Sequence, residues 1–588
     1  MNIRSRKAWL FTGILLLAFG LRLYRSGTYG LYLDEKYTIV ISQGVAMEGA
    51  NQHDVFFTPG KTYFTPKEFW KQKSLADYIE ANIRGDIGNS PVYYVVLWTW
   101  TQFFGLSDFS LRFPSVLFST LLVGLLYGFV RRHFRSEPLA LLSAFLAAIE
   151  PFFVAYSHMA RNYSMSFFLT LLATHLFLLI LERTHTRKPA TGLFVGYGLT
   201  LVVALLSHYL TFTVFLCHAI YALLYVRPLQ RWVPFALTAL VGVGLVALWF
   251  IFGGGKYTFQ TLAYQAQLYK SVALTNPTNN EFGVVLPATL FNVTERSLPI
   301  WADLFIISNG LGQAKTLGVR NLLLALALGL AAAWILHRYL TAGRTSTAVA
   351  ALFPLLLVAA LPFVTVPNGQ YVVAAALPSF GYVLVRALRH NVRRPEVPLW
   401  VFIVLLTVIP TLFLLLMAFR NGHTYGITQR YSGFSFPYAV ILIAFMLLEL
   451  VRLPLLFRLT LGLVLLLQTY YIVRLLYHIY EDRAPKYTYF GEKRGPNPYY
   501  LTARRIRENY APGDTILYPS RKLTFRDEVE KTYWPYAIQD AQLTNLYLPK
   551  DATYWQRMDT TEVDKIQLVK KTGQKILLFD LQGRKFRY

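Results

Sequence analysis

The sequence predicts a polytopic α-helical membrane protein with a small α/β domain at its C-terminal end. Three observations lead there. The 588 residues are 55% hydrophobic and only 15% charged, against roughly 25% charged in soluble domains. The apolar residues gather in long uncharged runs, such as 232–252 and 397–419, and about 20 such residues cross a hydrocarbon core of ~30 Å. Near Glu481 the composition changes abruptly to that of a soluble domain.

The net charge of +26 comes from 57 Lys+Arg against 31 Asp+Glu, and its location argues against nucleic acid as a partner. Residues 479–588 hold 20 basic and 14 acidic side chains, residues 25–90 hold 7 and 8, and residues 253–319 hold 4 and 3. Most of the excess therefore sits on short connections between apolar runs, where cytoplasmic loops concentrate Lys and Arg. The lone Cys217 lies in an apolar run, so neither a disulfide framework nor a thiolate metal site is expected.

The first apolar run, 8–24, follows Arg4, Arg6 and Lys7, and no small-residue cleavage site comes after it. It reads as a retained span with a cytoplasmic N-terminus. Residues 25–90 then form a long outer loop whose 66–83 stretch suits short interfacial helices. The run 92–104 resembles a further span, but counting it as one would put Arg131-Arg132-His133-Phe134-Arg135 and the basic connections 182–188 and 227–231 outside. At ~13 residues it is short for a crossing. As a juxtamembrane helix in the outer leaflet it leaves every basic cluster inside.

Spans then follow near 111–130, 138–156, 162–181, 191–207, 209–226, 231–252, 320–338, 347–364, 371–388, 397–419, 434–451 and 454–477. The total is about thirteen transmembrane helices, an odd number that places the C-terminal region outside. The expected organisation is a transmembrane domain over 1–478, with outer loops 25–110 and 253–319, and an extracytoplasmic α/β domain over 479–588. Within the latter, 499–510 reads as a helix, Ala511-Pro512-Gly513-Asp514 as a turn, and 515–518 and 575–581 as strands.

Ionisable groups near membrane depth are costly and are functional candidates by default. This threading gathers Asp34, Glu35, Lys36, Asn89, Arg112, His158, Arg161, His208, Tyr209, Arg420, His423, Gln429, Arg430 and Tyr431 on the outer face. Each has a plainer role available. Asp34 and Glu35 suit solvated loop charges, Arg112, Arg161 and Arg430 suit headgroup anchors, Asn89 a cap or turn, and His208 a hydrogen-bonded interfacial residue.

Taken together they suit one chemistry. The outer compartment lacks ATP and nucleotide sugars, so a transferase there needs a membrane-anchored donor such as a sugar on a polyprenyl phosphate. Arginines stabilise the departing phosphate, a carboxylate deprotonates an acceptor hydroxyl or amine, and apolar spans offer a groove for the lipid tail.

The motifs Leu33-Asp34-Glu35-Lys36-Tyr37, Asn89-Ser90-Pro91-Val92-Tyr93-Tyr94, Phe104-Gly105 and Leu111-Arg112 carry a resemblance. So do Ser157-His158-Met159-Ala160-Arg161-Asn162-Tyr163, Ser207-His208-Tyr209, and Gln429-Arg430-Tyr431 followed by Pro437. Their order and spacing resemble the polyprenyl-phosphate-dependent glycosyltransferases of the GT-C fold, and within them the protein O-mannosyltransferases and the lipid A aminoarabinose transferase. Ala503–Ile506, Glu508-Asn509 and Pro512-Gly513-Asp514 are similar to the extracytoplasmic tails of bacterial members.

The resemblance implies an inner (plasma) membrane enzyme that moves a sugar, with inversion, from a polyprenyl-phosphate donor to an extracytoplasmic protein, lipid or envelope glycan. It implies Asp34 as the catalytic general base with Glu35 as its supporting neighbour. Arg430, Arg161, Arg112 and Tyr431 are then candidates for the donor phosphate, and Lys36, Asn89, His208 and Tyr209 for the acceptor side. Many relatives carry His-Pro-Pro or Glu-Lys-Pro where this chain has Asn89-Ser90-Pro91. With no His, Asp and Glu cluster at ligand spacing, neither a metal nor another cofactor is expected. Two other functions fit the same composition: a lipid or solute transporter or flippase, and a glycan ligase or polymerase using a diphosphate-linked donor.

Overall fold

The computed structural model describes residues 3–587 apart from 48–55, 57–59, 72, 87, 187, 228–231, 281, 312–316, 343–346, 365–367, 484–492, 523–535 and 584. The chain opens with α1 (Ile3–Leu23) and then folds its first long loop into α2 (Leu33–Ser42), α3 (Pro66–Phe69), α4 (Leu75–Asp86) and α5 (Pro91–Phe104). The helical bundle continues through α6 (Asp108–Phe134), α7 (Glu137–Ile149), α8 (Pro151–Ser157), α9 (Tyr163–His185), α10 (Thr191–Ser207), α11 (Phe212–Tyr225) and α12 (Trp232–Phe252). A second long loop holds α13 (Lys256–Thr275) and α14 (Leu290–Leu304). The bundle closes with α15 (Gly318–Ala342), α16 (Thr347–Val358), α17 (Asn368–Asn391), α18 (Val397–Asn421), α19 (Phe436–Leu450) and α20 (Leu455–Tyr480).

Every segment expected to span is helical. Among the described residues, eight helices are long and apolar enough to cross a membrane, and nine if α7 and α8 form one span bent by 54°. The bend falls at Glu150-Pro151, where the proline has no N–H to continue the α7 ladder. Three further apolar helices, Thr191–Ser207, Tyr209–Tyr225 and Ala348–Phe363, are shorter than the ~20 residues of a full crossing. The chain is a multi-pass membrane protein, but length and composition do not reach thirteen spans.

The run 92–104 forms α5, with Pro91 in its first turn and Gly105 (φ 73°) at its end. The stretch 66–83 supplies α3 and α4. Residues 33–42, read from the sequence as polar loop, are instead a helix packed inside the protein, with Ile39, Val40 and Ile41 at most 1% exposed. Its start is set locally: the Glu35 side chain reaches back to accept from the Tyr32 amide at 3.1 Å, which satisfies one of the amide groups that a helix start leaves unpaired.

Beyond the bundle come α21 (Pro498–Asn509), β1 (Thr515–Pro519), α22 (Gln539–Asn545), β2 (Trp555–Asp559), β3 (Lys565–Val569) and β4 (Lys575–Asp580). The strands form one mixed sheet in the order β2-β1-β3-β4. The β1–β2 pair is parallel and both antiparallel pairs lie on the other side, with Ile516 opposite Gln556 and Leu568. The two expected strands correspond to β1 and β4 and the expected helix to α21. The strands β2 and β3, five residues each, were not anticipated.

This domain is not a separate bead. Phe64 in the first long loop pairs with Gln556 as an antiparallel bridge on the free edge of β2, through two amide–carbonyl bonds of 2.9 Å. One hydrophobic cluster runs from Leu31, Ile39 and Phe64 through Tyr93 and Leu97 to Tyr499, Ile516 and Leu568. Phe64 is 3% exposed, so Phe64→Ala opens a cavity in this seam and should cost about 3–5 kcal/mol. Thermal denaturation of the detergent-solubilised chain measures it.

Candidate active site

Helix periodicity turns successive side chains by about 100°, so Asp34, Glu35 and Lys36 in the first turn of α2 leave it in three directions. Glu35 points down into the bundle and is fully buried. Arg112 on α6 meets it with Nε and Nη2, each at 2.8 Å, and the Ala160 amide donates to it at 2.7 Å. The rest of the Arg112 guanidinium donates to the carbonyls of Ser26, Tyr29 and Gly30 at 2.9, 2.6 and 3.0 Å. Burial raises the Glu35 carboxyl, but Arg112 outweighs it and holds the pKa below its ordinary value. Arg112 and Glu35, expected at the donor phosphate and beside the base, are committed to each other.

Asp34 points the other way. Its Oδ2 lies 3.3 Å from Nη1 of Arg430, 396 residues later in the chain. The Asp34 side chain is 34% exposed and that of Arg430 13%, so the contact is open at one side. Arg430 also donates to the Tyr163 hydroxyl at 3.3 Å and lies over the Tyr431 ring at 4.8 Å. On the other flank, Arg161 donates to the Thr38 hydroxyl at 2.8 Å and to the Asp34 carbonyl at 3.4 Å.

Arg161 leads to a carboxylate that the sequence did not single out. Asp86 Oδ1 lies 3.9 Å from Arg161 Nη2, and Asp86 Oδ2 accepts the Tyr94 hydroxyl proton at 2.5 Å. Burial raises the Asp86 carboxyl, with Arg161 opposing. Burial works against the Arg161 cation, but Asp86, Tyr94, Tyr163 and Asp34 together outweigh it and keep the guanidinium charged. The result is an alternating row, Asp86, Arg161, Asp34, Arg430. A hint of Asp86 lay in its Gly85-Asp86 and Gly88 setting. Gly88 has φ +76° and a Cβ there would sit 2.2 Å from the Gly254 carbonyl oxygen, so only glycine lets this turn dock.

The remaining candidates build the frame. Tyr209 donates its hydroxyl proton to the Gly88 carbonyl at 2.5 Å and Trp249 donates to the same oxygen at 2.9 Å. The Asn89 amide closes a turn onto the Asp86 carbonyl at 2.8 Å. Asn162 holds the Ser90 hydroxyl at 2.6 Å. His208 is 6% exposed, and its ring lies 5.7 and 5.9 Å from Tyr163 and Tyr431. Burial, then Arg161 and Arg430, push its pKa down to about 3, so it is a neutral wall. Lys36 lies away from the row, against the C-terminal domain. His158 is half-buried and bonded to the Arg22 carbonyl at 2.9 Å, and His423 bridges to Pro287.

Two apolar grooves adjoin these elements. One, of about 310 Å³, runs between α2, α4 and α5, with Ile41, Ile79, Tyr94, Val95, Trp98 and Trp249 on its walls. It reaches the charged row through Tyr94. The other, of about 400 Å³, lies between α14, α15, α17 and α19. Gln429 touches Asp303 at the end of α14 at 3.4 Å, which brings the second long loop beside Arg430. Among the described residues no three His, Cys, Asp or Glu side chains gather as a metal site.

Arg112→Met takes both short guanidinium contacts from the buried Glu35 charge, leaving Arg494 at 3.6 Å as its nearest cation, and should cost about 3–5 kcal/mol, read as a lost or lowered melting transition. The pH dependence has a defined sign. Glu35 stabilises the fold above its ordinary 4.5 and loses this as pH falls through its lowered value. His158 and His208, ordinarily 6.5 but held neutral down to about 3, contribute stability above 6.5 that drains as pH falls. The limiting slope is about 1.4 kcal/mol per pH unit for each. The melting temperature should therefore drop between pH 6.5 and 4.5, and His208→Asn should flatten the drop.

Among curated proteins none matches the sequence. Residues 88–252 match the family model described as dolichyl-phosphate-mannose-protein mannosyltransferase. Among solved structures, the apo oligosaccharyltransferase of Archaeoglobus fulgidus aligns at 14% identity and TM-score 0.43, over 86% of this chain and 58% of that one. ArnT of Cupriavidus metallidurans aligns in its apo state at 14% identity and TM-score 0.37, over 90% of this chain and 85% of that one. Its complex with undecaprenyl phosphate aligns at 13% and 0.33, over 90% and 84%. The chain thus spans 58% of the length of the archaeal enzyme it resembles. The family segment includes Asn89, Arg112, Arg161, His208 and Tyr209, while Asp34 and Arg430 lie outside it. The resemblance carried by the short motifs therefore holds over residues 88–252, which are similar to the dolichyl-phosphate-mannose-protein mannosyltransferase family.

Proposed function

We propose that this protein is a membrane glycosyltransferase that moves a sugar from a polyprenyl-phosphate donor to an acceptor on the far side of the membrane from the cytoplasm. The observation that carries this reading is the 3.3 Å contact of Asp34 with Arg430, two groups of opposite charge brought together at an accessible surface beside apolar grooves. The family match supports the donor class. In this reading the N-terminus is cytoplasmic, the protein sits in the inner (plasma) membrane, and the site and residues 479–588 face outward.

The chemistry follows from the row of charges. A donor phosphate approaching the site competes with Asp34 for Arg430 and takes a second cation from Arg161. Asp34, released from its partner, accepts the proton of an acceptor hydroxyl or amine. The acceptor atom forms a bond to the anomeric carbon as the carbon–oxygen bond to phosphate breaks, and attack from the opposite side inverts that centre. The lipid phosphate leaves as an anion stabilised by the two guanidinium groups, so no proton donor is needed. The groove ending at Tyr94 takes the first isoprene units. The charged row sits at helix ends rather than midway along spans, where a transporter would place its binding groups.

The test uses the chain in lipid nanodiscs with dolichyl-phosphate-mannose and a panel of undecaprenyl-phosphate sugars. Sugar release and transfer are followed by mass spectrometry, with diphosphate-linked sugars as a second arm. Asp34→Asn should abolish turnover while leaving lipid-phosphate binding as tight or tighter, since the competing carboxylate charge is gone; a turning-over variant removes Asp34 as base. Arg430→Ala should weaken binding of the lipid phosphate by about 2 kcal/mol, the size of a hydrogen bond to a charged group. Ile79→Trp should raise the donor KM about tenfold by filling the tail groove.

A further inference from the structure

Lys36 is the side chain of the first turn of α2 that the proposed chemistry does not use. It is 2% exposed. Its Nζ donates to the main-chain carbonyl of Phe586 at 3.1 Å and sits 5.2 Å from the centre of the Tyr499 ring. Among the described residues no carboxylate comes within salt-bridge distance of it. Burial lowers its pKa to about 7, with Asp540, Glu35 and Asp108 opposing. A buried amine held only by a carbonyl and a ring is costly, and a leucine would fill the same space at less cost.

The surroundings show what the contact holds. The tail that offers the Phe586 carbonyl is itself fixed: Arg587 pairs with Asp540 at 3.0 Å and also with Asp564, and the Phe586 ring packs on Phe579 at 5.3 Å. The same domain grips the neighbourhood of α2 at further points. Arg494 lies 3.6 Å from Glu35, the Gly30 amide donates to the Gly495 carbonyl at 2.9 Å, and Gln542 donates to the Ala46 carbonyl at 2.9 Å, just past the helix end. Glu35 is tied to the bundle and Lys36 to the C-terminal domain, and Asp34 precedes both on the same turn.

We propose that the C-terminal tail is a brace for α2: the Lys36–Phe586 contact, opposed by Glu35–Arg112, sets the rotation of the helix and thereby aims Asp34 between Arg430 and the acceptor. Lys36 is then a positioning residue, and the C-terminal domain contributes to the rate. The inference rests on the reading of Asp34 as base. A misplacement of 1 Å costs about 100-fold in rate when reacting groups must be held in line, so a small rotation of α2 is enough.

The experiment compares Lys36→Met, Lys36→Arg and deletion of residues 586–588 in the full chain in nanodiscs. Hydrogen exchange is read over 33–42, and kcat and KM are read with the polyprenyl-phosphate sugar that the panel assay identifies. Lys36→Met and the deletion should each raise exchange in α2 about tenfold with the spans unchanged. Each should lower kcat by about 100-fold and leave the donor KM within about twofold. Combined, they should lose less than the sum of the two, because the Lys36–Phe586 contact is common to both, while the deletion also removes the Arg587 ion pairs. Lys36→Arg should recover most of kcat.

Unchanged exchange over α2, additive losses, or a Lys36→Met variant at full kcat overturns the brace. Should the deletion fail to fold, the Met and Arg variants decide it. Turnover by Asp34→Asn would sink the base and leave the exchange readout to judge the brace. A dead Asp34→Asn beside a fully active Lys36→Met would sink the brace alone.

Discussion

A carboxylate with no exposure to water persists at Glu35 because Arg112 meets it with two guanidinium nitrogens and the amides of Tyr32 and Ala160 supply two more donors. Nearly every donor of Arg112 is used, since the carbonyls of Ser26, Tyr29 and Gly30 take what Glu35 leaves. Such pairs contribute little net stability over an apolar substitute, but breaking one is severe. What this pair contributes is placement. It ties the loop after α1, the start of α2, α6 and the turn before α9 to one point, and Asp34 stands beside that point.

The two neighbouring carboxylates are therefore divided by environment. Glu35 has its charge balanced inside the protein. Asp34 has an outward face, and its carboxylate meets the Arg430 guanidinium, which an anion can draw away. Asp86 and Arg161 repeat the arrangement one step further in. Polar side chains at a bundle end hold such positions only when the backbone beneath them is rigid. Gly88, pressed against Gly254, and the Tyr209 and Trp249 donors on its carbonyl provide that rigidity.

The apolar runs were legible because a bilayer demands length and hydrophobicity, and those are local properties of a sequence. The helix α5 was legible too, from the apolar run 92–104 and the proline and glycine that bound it. The contact of Asp34 with Arg430 was not legible locally, since 396 positions separate them; the charge threading set both on the outer face and the motif resemblance named them as base and phosphate ligand. Three things stayed hidden. The helix α2 hides in a stretch whose Asp34, Glu35 and Lys36 read as loop polarity, because their partners lie on α6, the Arg430 turn and the C-terminal tail. Arg112 reads as a headgroup anchor until Glu35 is seen against it. β2 and β3 are only five residues each, and they are strands because β1 lies between them and pairs with both.

The contact between Asp34 and Arg430 also bears on how a catalytic cycle would end. In the proposed reaction a carboxylate that has just captured a proton would no longer attract a guanidinium, so the spent lipid phosphate would keep Arg430 to itself. Once water removes that proton, the restored anion reclaims its partner and the spent carrier is displaced. Deprotonation and unloading of the carrier would then be one event, and the empty site would rest with its base masked.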